Sequence, residues 1–151
     1  MNEINMFWDR FLKKTGRDKN TKYLEVFHFH LSEYWANELL KLVLDGTKRA
    51  TSSSLKSFKI NGLKMPETGD LSIVTDWNGI PRCVIETLTV AILPFKDMTY
   101  DICKREGEDE CLDTWRLGHI SFFKSEGKEL GYEFDEEMLI VFEDFEVVYR
   151  E

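Results

Sequence analysis

Apolar side chains recur at helical spacing near the start of the chain, with Ile4, Phe7, Trp8 and Phe11 on one face of a helix predicted over 3–14. Gly16 is suited to end it, and the polar stretch 15–22 reads as a loop. Residues 23–30 then alternate, which predicts a strand with Tyr23, Glu25, Phe27 and Phe29 on one side. A second helix is predicted over about 32–45: Ser32 caps it, Glu33 suits its first turn, and Trp35, Leu39, Leu42 and Val43 form its apolar face. Gly46 stands where a helix C-terminus favours a left-handed residue.

Beyond that helix the pattern turns to β. Gly69-Asp70 precede a β-rich run from Leu71 to Thr75, and Asn78-Gly79 is a strong hairpin signal. The returning strand, Cys83 to Ile92, is rich in Val, Ile and Thr, and Pro94 ends it. Short helices are predicted over 97–106 and 111–125. In the second, Trp115, His119, Phe122 and Phe123 share one face. A last strand or pair of strands covers 138–150. Strands with short helices between them predict an α+β domain on a curved sheet or small barrel. The βαβ rhythm of a nucleotide-binding sheet is absent.

Composition adds bounds. At 151 residues, 42% hydrophobic and 32% charged, the chain is expected to fold as one domain with a real core. No stretch reaches the roughly 18 apolar residues of a spanning helix, and the first residues lack the basic-then-apolar pattern of an export signal. Cys83, Cys103 and Cys111 form no Cys-x-x-Cys pair, which fits neither a disulfide framework nor a thiolate zinc site. A reducing cytoplasm is the expected compartment. The net charge of −8 excludes a uniformly basic coat for nucleic acid. It is uneven, however: the part beyond residue 100 carries sixteen acidic and six basic side chains. Lys41, Lys48, Arg49, Lys56, Lys59 and Lys64 cluster with only Asp45 opposing them. They form either an ordinary solvated face or a local anion site.

Three segments offer chemistry. In Gly46-Thr47-Lys48-Arg49-Ala50-Thr51, followed by Ser52, Ser53 and Ser54, a glycine frees the backbone, two cations follow, and four hydroxyls come in succession. Such a set can hold a phosphate or carboxylate. A desolvated Lys48 could serve as the base that a Thr51 nucleophile needs. The alternative is a helix end running into a polar strand. In Arg105-Glu106-Gly107-Glu108-Asp109-Glu110, paired carboxylates can do acid–base work or hold a divalent cation, or simply complement a helix N-terminus. His28 and His30, two apart on a predicted strand, share a face, but nothing supplies a third ligand, so no metal site is expected. His119, among aromatics, reads as a pocket or core residue.

Together these pieces resemble the ASCH family of the PUA-like superfamily, in its longer bacterial branch. The resemblance runs through Phe7-Trp8, His28-Phe29, Leu42-Val43-Leu44-Asp45-Gly46 and Lys48-Arg49-Ala50-Thr51. It continues through Gly69-Asp70-Leu71, Val84-Ile85-Glu86-Thr87, Glu106-Gly107-Glu108, Trp115, His119, Phe122-Phe123 and Val147-Val148-Tyr149. It implies a PUA-like small β-barrel with flanking helices and a cleft, with residues 1–22 an N-terminal helical extension. It also implies a nucleoside or RNA as partner. No cofactor is expected. One branch removes the acetyl group from N4-acetylcytidine with a Lys, a Thr and a Glu. By motif these are Lys48, Thr51 and Glu108, with Glu106 the competing match. Arg49, Ser53, Glu106, Trp115 and His119 would contact the substrate. Ser53 stands where that branch tends to carry an arginine. Amide hydrolysis, action on RNA, a non-catalytic RNA-binding or regulatory module and a small-molecule sensor all remain open on this reading.

Overall fold

The computed structural model describes residues 2–151. Helix α1 (Glu3–Thr15) begins where Asn2 accepts a hydrogen bond from the Asn5 amide at 2.8 Å and ends at Gly16, with φ +70°. The following strand is shorter than its alternation predicts. Strand β1 (Glu25–Phe27) stops because the chain must turn into the next helix, and His30 takes φ +63° to do so. His28 and His30 therefore do not share a strand face. The His28 ring packs on Trp77, with centroids 4.8 Å apart, while the His30 ring lies against Trp35 and Phe122.

Helix α2 (Glu33–Leu44) starts at Ser32, as expected, and buries Ala36, Leu39, Leu40 and Val43. Trp35, assigned to its apolar face from the pattern, sits at the edge of that stripe and is 49% exposed. Strand β2 (Ala50–Ser54) leads directly into α3 (Leu55–Asn61), a short helix with no buried residue and hence no apolar periodicity to announce it. Strands β3 (Leu71–Thr75) and β4 (Pro81–Pro94) are joined at Asn78-Gly79, where the Asp76 carboxylate accepts from the amides of Asn78 and Ile80. The helix predicted over 97–106 is broken into a 3-10 turn (Phe95–Asp97), α4 (Tyr100–Cys103) and a second 3-10 turn (Lys104–Glu106). Helix α5 (Leu112–Leu130) outruns its predicted end, and β5 (Leu139–Arg150) is one long strand.

The five strands form one sheet in the order β1-β3-β4-β5-β2, antiparallel except for β1 on β3. The long β4–β5 ribbon carries the curl. Up to Glu86, strand β4 pairs with β3 on its other side, whereas Ile140 to Asp144 of β5 pair with β2. Between these stretches the β4–β5 register shifts at Thr87/Thr89, and such bulges sharpen local twist. The result is a half-barrel with helices packed around it.

Alternation along the strands decides which helix covers which face. Leu71, Ile73 and Val84 pack with Phe7, Trp8, Phe11 and Leu12 of α1. Val74, Cys83, Ile85 and Phe145 point the other way, onto Leu39, Leu40 and Val43 of α2. A third cluster joins Ala50, Ile140 and Phe142 to Trp115 and Phe123 of α5. The segment leading into β2 passes between the α2 and α5 layers, and that is where the chemistry gathers.

Candidate functional site

Lys48 ends up buried, with 2% of its surface exposed. Its backbone amide donates to the Leu42 carbonyl at 3.0 Å, and the Arg49 amide to that of Arg105 at 2.9 Å. The first bond ties the residues before β2 to α2, and the second ties them to the 3-10 turn that carries Glu106. Gly107 completes the clamp. It has φ +72°, and a Cβ there would lie 2.4 Å from the Thr47 carbonyl oxygen. Only glycine allows both the left-handed backbone and this approach. Glu106 and Glu108 are thereby held on either side of the lysine.

The Lys48 ammonium donates to Glu108 Oε2 at 2.5 Å and to the Ala50 carbonyl at 2.8 Å, and it lies 3.6 Å from Glu106 Oε1. The Phe29 ring lies 5.4 Å from it. Glu106 Oε2 accepts from Ser52 Oγ and from Trp115 Nε1, both at 2.7 Å. His119 stacks on Trp115 with centroids 4.1 Å apart, and its Nε2 lies 3.4 Å from Glu106 Oε1. Its Nδ1 pairs with the Trp115 carbonyl at 2.8 Å.

The two carboxylates sit in opposite electrostatic regimes. Burial alone would raise the Glu106 carboxyl, but Lys48, His119 and the Ser52 hydroxyl hold it below the ordinary carboxylate range. Glu108 has fewer donors. Burial and the neighbouring Glu106 charge lift it above that range, against the pull of Lys48. Burial would lower His119, yet its contact with Glu106 leaves it raised overall. Two carboxyl groups pushed apart in this way are the usual arrangement for a fixed anion beside a group that exchanges protons.

This network forms one wall of a cavity of about 600 Å³, within the range of small-molecule sites. Across it lie His30, Leu31 and Trp35 at the start of α2, and Phe122 of α5. Four carboxylates line it (Glu106, Glu108, Asp109 and Glu129) against the single ammonium of Lys48. Oxygen and nitrogen atoms of Glu106, Glu108 and His119 come within 4.8 Å of one another, a set able to ligate a metal ion, but an ion there would have to displace the Lys48 ammonium.

Of the residues singled out from sequence, Lys48, Thr51, Glu106, Glu108 and His119 line the cavity. Trp115 stands behind it, fully buried, as a donor to Glu106. The hydrogen bonds of Lys48, Glu106 and Glu108 go to one another, Ala50, Ser52, Trp115 and His119, and none goes to Thr51. Arg49 is exposed and opens onto a separate depression beside Arg105 and Asp144, while Ser53 lines neither hollow. The basic cluster is dispersed: Lys41 pairs with Glu38 at 3.1 Å and Lys64 with Asp70 at 3.0 Å. Lys56 reaches the Glu133 carbonyl.

The family model for the ASCH domain matches residues 25–149. The chain belongs to the ASCH family. Its fold is the PUA-like α+β half-barrel expected of that family. An ASCH domain from Lactobacillus crispatus is 37% identical and superposes with a TM-score of 0.86, covering 97% of this chain and 94% of its own. Protein EF3133 from Enterococcus faecalis is 33% identical, with a TM-score of 0.87 over 97% of this chain and 88% of its own. No curated protein gives a significant match. Among the described residues no helix is long and apolar enough to cross a membrane.

Sequence reasoning missed several residues of this ASCH cavity. Ser52 was one of four consecutive hydroxyls, and only strand parity with the buried Ala50 separates it from Ser53. Trp35 read as part of the apolar face of α2, and Phe29 and His30 as strand residues. No local pattern marks a side chain that faces a cavity rather than a core.

Proposed function

We propose that this ASCH domain binds a nucleoside in the cavity and hydrolyses an acyl amide on its base, with N4-acylated cytidines as the substrate class. The observation that carries the reading is the buried Lys48 between two carboxylates of opposite proton affinity, at the wall of a nucleoside-sized hollow. The acidic excess of the lining disfavours a polyphosphate chain inside it and favours an uncharged ligand.

In this mechanism the Thr51 hydroxyl attacks the amide carbonyl. Its proton passes to Glu108, which returns it to the departing amine as the C–N bond breaks. Water then cleaves the Thr51 ester and releases the carboxylic acid, with Glu108 again taking and returning a proton. Lys48 keeps Glu108 in place and offsets the charge on the carbonyl oxygen. Glu106, bonded to Ser52, Trp115 and His119, stays ionised and anchors Lys48.

The test is a turnover assay on N4-acetylcytidine with wild type, Lys48→Ala, Thr51→Ala and Glu108→Gln. Wild type should release cytidine, and loss of the acid–base group should lower kcat by about 100-fold or more. Equal rates for wild type and Glu108→Gln would sink the acid–base role. Tight RNA binding that weakens steeply with salt, with no turnover, would replace this reading with a binding module.

A further inference from the structure

His30 is a feature of the cavity that the proposed mechanism does not use. It is the only non-glycine residue with positive φ among the described residues, at +63°. Such a backbone is uncommon for a side-chain-bearing residue, and it concentrates at ligand sites where surrounding structure holds it in place. Here the ring is held by Phe122, centroids 5.0 Å apart in an edge-on contact, and by Trp35 at 6.1 Å. Helix α2 starts two residues later at its Ser32 cap.

The ring also has an unusual polar account. Nδ1 is buried and has no hydrogen-bond partner. A buried N–H without an acceptor is more costly than a buried lone pair without a donor, so the proton belongs on Nε2. Burial, together with repulsion from His119, lowers the affinity of His30 for a second proton. Because the residue lines the cavity and Nδ1 is shut away, Nε2–H is the group presented to a ligand.

The neighbours limit what that ligand can be. The polar groups opposite are already engaged: Lys48 with Glu108, and Ser52, Trp115 and His119 with Glu106. Apart from the hydroxyls of Thr51, Ser121 and Ser125, which also line the cavity, His30 is the donor held in reserve there. Beside it, Trp35 is 49% and Leu31 36% exposed, an apolar rim that a flat ring would cover. An anion in the same place would meet the four lining carboxylates.

We propose that His30 sets the ligand preference of the cavity, donating through Nε2–H to a carbonyl oxygen of an uncharged flat heterocycle that stacks on Trp35. This deepens the nucleoside reading and rests on it. Two measurements test it. Binding of N4-acetylcytidine and of uridine, which has ring carbonyls but no acyl amide, is compared in wild type and His30→Asn. Asparagine tolerates the left-handed backbone, so the melting temperature should hold or rise while affinity for whichever probe binds falls at least tenfold. Binding to neither probe, or equal binding by both proteins, overturns the proposal. Binding without turnover sinks the hydrolase reading alone and leaves His30 in its role. Independently of any ligand, the imidazole 15N shifts of the free protein at pH 7, assigned by difference with His30→Asn, should report the proton on Nε2. A proton on Nδ1, or a charged ring, would also overturn it.

Discussion

Lys48 shows how one side chain can be both structural and chemical. Its ammonium is almost without solvent and is compensated by Glu106 and Glu108. Replacing it by methionine would fill the space but leave two buried carboxylates facing each other. Breaking a buried ion pair costs about 3–5 kcal/mol, and Lys48→Met should lose an amount of that order in urea unfolding at pH 7. The deficit should shrink at pH 5, because protonating the carboxyl groups relieves the repulsion. A deficit independent of pH would mean that lost packing, not charge, is responsible. Trp115 acts one step further back. Its indole N–H is one of the donors holding Glu106, so Trp115→Phe should cost about 1–3 kcal/mol. It should also raise the Glu106 carboxyl, readable by side-chain carboxyl NMR.

Among elements, the joint between the segment before β2 and the 3-10 turn at Lys104–Glu106 matters most. It is made by the Arg49–Arg105 backbone bond and by Gly107 lying against the Thr47 carbonyl. Gly107→Ala should therefore move the turn away from Lys48. A residue whose backbone cannot accept the substitution loses more than about 1 kcal/mol, and here the steric contact adds to the strain. The expected outcome is a lower denaturation midpoint together with loss of turnover. Gly79, also at positive φ, has open space around its Cα, and Gly79→Ala should lower stability without touching turnover. Equal effects on turnover from the two substitutions would show that the clamp does not position Glu106 and Glu108.

For the molecule as a whole, pH sets several buried groups against one another. Burial raises the Glu143 carboxyl from 4.5 to about 7, opposed in part by the Thr87 hydroxyl that donates to it at 2.7 Å. A carboxyl raised on folding binds its proton more tightly in the native state. Its contribution is thus present at low pH and is lost as pH climbs from about 4.5 to 7. Glu106 works in the opposite sense, being lowered on folding. Its contribution is present above the unfolded carboxyl range and disappears as acid protonates the native group. His119, raised on folding, stabilises below its unfolded value and loses that effect as pH rises through the native one. His30, lowered on folding, acts the other way over this range, so the decisive reading is the change on substitution: Glu143→Gln should make the slope between pH 5 and 7.5 less negative in urea titrations. An unchanged slope would remove Glu143 as its source.

Much of this was written in local pattern. Helices α1, α2 and α5, the hairpin at Asn78-Gly79 and the α+β class follow from spacing, caps and turn residues, because those depend on neighbours in the chain. The pairing of Lys48 with a carboxylate motif some sixty positions away was reachable only through family resemblance, since no local rule links segments so far apart. What the sequence could not determine was set by packing. It left Glu106 and Glu108 equivalent, and burial with unequal donors made them different. It grouped six cations that the fold disperses, pairing some and burying one. It read 23–30 as a strand, whereas the turn into α2 twists His30 out of the sheet and into the cavity. Periodicity and caps are properties of neighbouring residues, while proton affinity, exposure and the direction of a donor are properties of whatever the whole chain brings alongside.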